Sequence, residues 1–202
     1  IKKYVIRLSS ANSIVFYNNN ILLYAGKRDK HLSITDNYYF NANKQINNEL
    51  LIQKITYINN LSPEFLHLKK YHNKGRSKLM IMMEEIESKY FLNNIFKINQ
   101  QGKIFNPPTN CTFQILKKLF YDSMNKLHSL GIIHNDLIYI NSLKRNIHNS
   151  YYDNKDNTIK FIDFSLSYYA KNEGVDLNIA VDLEKEHVNN FFNDFEQELP
   201  IN

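Results

Sequence analysis

Cysteine is nearly absent from this chain. Its 202 residues include one, Cys111, so no disulfide can form within it, and a reducing compartment is expected. Glycine is scarce too: five in all, at positions 26, 75, 102, 131 and 174. No phosphate-cradling loop of the G-x-G-x-x-G type can therefore be written on the chain. No apolar run approaches the roughly 18 residues that a membrane span needs, and no signal-peptide pattern is visible. The first residue is Ile rather than Met, as expected of a fragment or a processed chain. A strong excess of one charge is also missing. Lys and Arg number 25 against 20 Asp and Glu, a net charge of +5 with an isoelectric point near 9.0. That balance favours an acidic partner or nucleic acid only weakly. The basic residues are dispersed, and the short clusters at 27–31 and 69–70 read as solvated faces.

What is present is an ordinary globular composition, 43% hydrophobic and 22% charged, long enough for a sizeable core. Heavy use of Asn, Ile, Lys, Tyr and Phe reads as a bias toward AT-rich codons. Residues 4–8, 14–17 and 21–24 are short, β-rich and separated by Ser/Asn turns, which predicts three antiparallel strands. Residues 29–44 read as a loop. Residues 45–58 place Ile46, Leu50, Leu51, Ile55 and Ile58 at helical spacing. Residues 65–72 and 78–84 form a predicted hairpin around the turn at 73–76. Residues 88–111 read as a linker with one short helix. Thr112 caps a predicted helix whose apolar face is Phe113, Leu116, Phe120, Met124 and Leu127, stopped at Gly131. Residues 142–157 read as a hairpin with a polar tip, and residues 158–164 as a strand ending on Asp163. The remainder, with Leu177, Ile179, Val181, Leu183, Val188, Phe191 and Phe192 as apolar positions, reads as one or two closing helices.

The chemistry concentrates in residues 132–141, Ile-Ile-His-Asn-Asp-Leu-Ile-Tyr-Ile-Asn. A carboxylate in a loop after a short buried strand, an amide five residues on and a second carboxylate at a later strand end match a kinase centre. Asp136 is the expected base, taking the proton of an attacking hydroxyl. Asn141 and Asp163 are the expected ligands of Mg²⁺, a hard ion that prefers oxygen, held against the phosphates of ATP. His134 is expected to pack and to hold the loop rather than to react. Glu49 on the early helix is the expected partner of a phosphate-binding lysine, for which Lys27 is the best candidate and a surface lysine the plain alternative. Ser and Ala at 9–13 stand where a glycine loop would lie.

At these residues the chain resembles the small atypical kinase family of the KEOPS (EKC) complex. Residues 27–31, Asp36 and Glu49-Leu50-Leu51 are similar to the family's basic segment and E-A-R-x-L helix. Met83-Glu84-Glu85-Ile86-Glu87 matches its M-E-E-I-E hinge. His134-Asn135-Asp136-Leu137 with Asn141 parallels H-G-D-L-T-T-S-N. Residues 162–167 and 174–177 parallel I-D-F-G-L-S and G-V-D-L. The resemblance runs from about residue 8 to residue 190, and the hinge and G-V-D-L segments are its specific parts. The sequence departs from the family at Asn135 and Ser165, each in place of a Gly. Without a gap Leu22 would occupy the position of the family's third-strand lysine; a short deletion brings Lys27 there. The family's basic C-terminal tail has no counterpart after Asn202.

The resemblance implies an α+β, compact bilobal protein-kinase-like fold, with a five-stranded N-lobe sheet in residues 1–87 and a reduced, mainly helical C-lobe in 88–202. It implies Mg-ATP binding, with Met83 as gatekeeper and the Glu84 carbonyl and Ile86 N–H facing the adenine. It implies weak Ser/Thr kinase or ATPase activity in a cytoplasmic, or also nuclear, complex with the threonylcarbamoyl-transferase subunit that modifies tRNA. Contact with tRNA would be indirect, and no membrane is involved. Two other readings stand beside it. The missing glycine loop suits a pseudokinase scaffold. The catalytic spacing also suits a small-molecule phosphotransferase of the aminoglycoside-kinase type, which leaves the hinge unexplained.

Overall fold

The computed structural model describes residues 4–8, 42–73, 76–99, 102–108, 111–141 and 144–197. Among these residues the chain is mixed α+β, with four helices, small antiparallel sheets and no closed barrel. The largest sheet holds β1 (Tyr4–Leu8), β2 (Phe65–Asn73) and β3 (Arg76–Glu84) in the order β1-β3-β2, antiparallel throughout. The predicted strands at 14–17 and 21–24, and Lys27, lie outside the described residues.

Helix α1 (Ala42–Ile58) follows the first strand region. Its buried face differs from the apolar stripe read in the sequence. Leu51 and Ile58 are exposed, whereas Glu49, Ile52, Gln53 and Thr56 are buried. That face is largely polar and is satisfied locally. Gln53 Nε2 donates to Ser62 Oγ at 3.0 Å, and Thr56 Oγ1 donates to the Ile52 carbonyl at 2.9 Å. The stretch after β3 holds the short helix read in the sequence and, beyond it, a hairpin that was not. It forms helix α2 (Leu92–Ile95) and a hairpin of β4 (Phe96–Asn99) with β5 (Gly102–Phe105). Phe96, at the start of that hairpin, packs into the core.

Helix α3 (Phe113–Ser129) begins as the sequence predicts. Thr112 Oγ1 accepts the Ile115 N–H at 3.2 Å, satisfying one of the orphan donors of a helix start. The stripe Phe113, Leu116, Phe120, Met124 and Leu127 is buried. Gly131, at φ +75°, turns the chain out of the helix into β6 (Ile132–Ile133), in a conformation that costs glycine little. The single hairpin read at 142–157 is two hairpins. The first is β7 (Ile138–Asn141) with β8 (Lys144–Ile147), and the second is β9 (Ser150–Asp153) with β10 (Thr158–Phe161). β11 (Tyr168–Tyr169) then pairs with β6.

One closing helix, α4 (Leu177–Gln197), completes the chain. Asp176 caps it, its Oδ1 accepting the N–H groups of Asn178 at 2.8 Å and Ile179 at 3.3 Å. The buried face is Ala180, Glu184, Val188, Phe191, Phe192 and Phe195. Leu177, Ile179 and Leu183, among the apolar positions of the sequence, are exposed. The stripe that follows the i, i+4, i+8, i+11 geometry runs through a glutamate.

Aromatic packing holds these elements together. Eight phenylalanines (96, 113, 120, 161, 164, 191, 192 and 195) share one buried cluster. Phe96 is central: its ring centroid lies 5.2 to 5.9 Å from those of Phe105, Phe113, Phe191, Phe192 and Phe195. Most of these pairs are edge-to-face, the arrangement that ring quadrupoles favour. Truncation of Phe96 leaves a cavity that its rigid neighbours cannot fill. Phe96→Ala is therefore expected to destabilise the fold by about 3–5 kcal/mol. Urea unfolding of the variant beside the parent measures this, and a loss below about 1 kcal/mol would show that the cluster closes over the gap.

Candidate active site

Strand β6 delivers the chain to residues 134–137, a loop tied down on three sides. His134 is fully buried and lies between the rings of Phe161 and Phe164. Its Nε2 lies 3.1 Å from the Ile162 carbonyl. A carbonyl only accepts, so Nε2 carries the proton. Burial pushes the imidazole below its ordinary value of 6.5 although Glu184, Asp136 and Asp163 all pull the other way. His134 is thus a neutral strut between the loop and the residue before Asp163, as the sequence reading expected. Ser167 Oγ adds a 2.9 Å hydrogen bond to the His134 carbonyl.

Glu184 supplies the second tie, from α4. Its Oε1 accepts the Asn135 N–H at 2.6 Å, and its Oε2 accepts the His134 N–H at 3.4 Å. His128 Nε2, from α3, lies 2.7 Å from Oε2. Burial opposes the charge of Glu184, but the hydrogen bonds from His128 and Asn135 outweigh it and hold the carboxyl below its ordinary 4.5. An ionised carboxylate accepts only, which fixes the proton of His128 on Nε2.

The third tie is Asn149. Its Nδ2 donates to the Asp136 carbonyl at 2.9 Å and to Asp136 Oδ2 at 3.0 Å. The Ile162 N–H in turn donates to the Asn149 carbonyl at 2.9 Å, so Asp136, Asn149 and the approach to Asp163 are one connected unit. Asp163 stands in the left-handed region, φ +60° and ψ +68°. Among the described residues, five non-glycine residues have positive φ, and three of them (Asn135, Asn149 and Asp163) belong to this unit. Asn and Asp tolerate that region better than other side chains, and such backbone states gather at functional sites.

Met83 is buried in a small apolar cluster with Tyr151 and Ile162, against which Leu50 and Ile86 pack. The segment at 83–86, the helix bearing Glu49 and the segment leading to Asp163 therefore meet. Glu49 is buried, and its neighbour Asn48 donates through Nδ2 to the Ser167 carbonyl at 2.8 Å. Glu84 pairs with Lys155 at 2.6 Å, which ties the hinge to the tip of the β9–β10 hairpin. Lys27 lies outside the described residues. Asn141 ends β7 and pairs with Lys144 in the hairpin. At about 3.3 Å per residue, the strand carries it roughly 10 Å beyond Ile138. The Asn149 amide, at the far end of the β7–β8 hairpin, meets Asp136.

No protein-family model matches the chain, and no curated protein matches it either. The site therefore rests on its own geometry. Two of its residues, Asn149 and Glu184, escaped the sequence reading. Glu184 had a visible signal: a charged residue at the i+4 position between Ala180 and Val188. Asn149 had none in spacing, since thirteen residues separate it from Asp136.

Among the described residues, no group of three or more His, Cys, Asp or Glu side chains could hold a metal ion.

Acidification tests the loop's anchorage. The unfolded chain takes up a proton at His134 near pH 6.5, whereas the folded chain does so only lower. Stability is therefore expected to fall as the pH drops below about 6.5 and on through the folded value. Glu184 adds a second loss, beginning below about 4.5. Thermal melts across this range should show both phases. In Glu184→Gln the second phase should vanish, and stability at neutral pH should drop by about 3–5 kcal/mol. A pH-independent difference between the two proteins would refute the assignment.

Proposed function

We propose that this chain is an ATP-dependent phosphotransferase or ATPase, with Asp136 as base. The observation that carries the reading is the unit just described: Asp136 fixed by Asn149, and joined through His134 and Ile162 to an Asp163 in the left-handed conformation. A phosphoryl-transfer site needs positioned charge more than reactive groups, and these contacts supply position. Asp136 accepts the proton of a hydroxyl or water as its oxygen bonds to the γ-phosphorus. The bond from that phosphorus to the β–γ bridging oxygen breaks, and ADP leaves. Asp163 would hold Mg²⁺ together with an asparagine side-chain oxygen, either that of Asn141, as the spacing suggests, or that of Asn149, whose amide is tied to the base. When bound, the ion neutralises charge on the phosphates. Glu49 and Lys27 would form the ion pair that steadies the α- and β-phosphates, and the Glu84 carbonyl and Ile86 N–H would meet the adenine.

The similarity of residues 83–87, 134–137 and 162–167 to the KEOPS-complex kinases supports a narrower version. In it the chain works with a threonylcarbamoyl-transferase subunit in tRNA modification, touching tRNA only indirectly. No helix among the described residues is long and apolar enough to cross a membrane. The scaffold reading keeps one observation in its favour, the lack of a glycine loop.

Mg-ATP hydrolysis by the purified chain, alone and with such a transferase subunit, separates these readings. Asp136→Asn and Asp163→Ala should each lower turnover by at least ~100-fold, in the range lost with a general base, while melting within a few degrees of the parent. Asn149→Ala should cost more turnover than Asn141→Ala. Undiminished hydrolysis in Asp163→Ala would sink the metal assignment. A folded parent that neither hydrolyses nor binds Mg-ATP would favour the scaffold.

A further inference from the structure

The hairpin inserted after Asp136 returns the chain to the site at two consecutive residues, and both side chains face the same carboxylate. Asn149 Nδ2 lies on Asp136 Oδ2 at 3.0 Å. His148 Nε2 lies 3.4 Å from Asp136 Oδ1. Neighbouring side chains on an extended strand point to opposite faces. Here the left-handed turn at Asn149, φ +52°, breaks that alternation, and the two side chains converge. The His148 N–H donates to the Leu137 carbonyl at 3.0 Å, which pins the backbone beside the loop. The Tyr139 ring, from β7, stands at 60° to the His148 ring with centroids 6.0 Å apart. His148 Nε2 is buried, yet makes no hydrogen bond among the described residues. A buried ring nitrogen with no bond to satisfy it is costly unless another state of the site supplies one.

We propose that His148 is a positioning residue for Asp136: its Nε2–H closes onto Oδ1 in the substrate complex and, with Asn149 on Oδ2, fixes the carboxylate plane toward the attacking hydroxyl. Contacts of this kind are commonly long in ligand-free enzymes and shorten when substrate binds. Because Nε2 is buried, His148 acts through Asp136 and not on substrate. The inserted hairpin thereby gains a purpose, since it carries the aromatic ring that sets the imidazole in place. This inference rests on the phosphotransfer reading above.

Steady-state Mg-ATP hydrolysis by His148→Ala and His148→Gln tests it, beside the parent and Asp136→Asn. His148→Ala is expected to lower kcat by about 10-fold or more with KM for ATP changed less than twofold. His148→Gln, which keeps an N–H donor, is expected to recover most of that loss. A wild-type kcat in His148→Ala, or equal losses in both variants, overturns the proposal while leaving Asp136 as base. Equal turnover in the parent and Asp136→Asn overturns the phosphotransfer reading, and the proposal with it. Nitrogen-15 NMR of the histidine rings supplies a readout independent of activity. The His148 Nε2 resonance should be protonated and should move in Asp136→Asn; an unmoved resonance excludes the contact.

Discussion

The hydrogen bonds accepted by Glu184 are the constraint on which the candidate site depends. The residue sits on α4, in line with the phenylalanines that anchor that helix in the core. Its two oxygens take the N–H groups of His134 and Asn135, and His128 from α3 completes the set. A buried carboxylate is costly unless its lone pairs are used. Here they are used on the backbone of one short loop, so the charge and the loop conformation stabilise each other. Asn135 can take its positive φ because its N–H has a fixed acceptor.

Around that anchor the molecule divides its labour. The aromatic cluster supplies rigidity without polar atoms, and it sets α3, α4 and the β4–β5 hairpin at fixed separations. The polar contacts then act over short distances within a frame that does not yield. His134 shows the join between the two regimes: its faces meet Phe161 and Phe164, while its Nε2 bonds to the Ile162 carbonyl. A neutral imidazole suits this place, because a charged one would pay for burial with no counter-ion bonded to it.

Asparagine takes over positions where tight turns usually call on glycine. With five glycines in the chain, the left-handed turns at 60, 135, 149 and 157 all use Asn. At 149 the substitution does more than turn the chain, because the side chain also reaches Asp136. A glycine there would permit the turn but leave the carbonyl and carboxylate of Asp136 without that amide.

Much of this was open to reading from the residues alone. The helix from Phe113, its Thr112 cap, the hairpin around residue 74, the buried His134 and the loop position of Asp136 all follow from local rules of period, capping and turn chemistry. These act over a few residues and leave a mark in the order of side chains. The tertiary structure decided the rest. It buried Glu184 and exposed Leu183, because the face of a helix that turns inward depends on what lies opposite. It added a hairpin to the stretch after Tyr90, because Phe96 finds its partners near residues 113 and 192. It brought Asn149 to Asp136, because a hairpin returns its two ends to one place whatever number of residues it contains. Spacing along a chain measures contour length, whereas a site is defined by distance in space, and only packing and strand pairing convert one into the other.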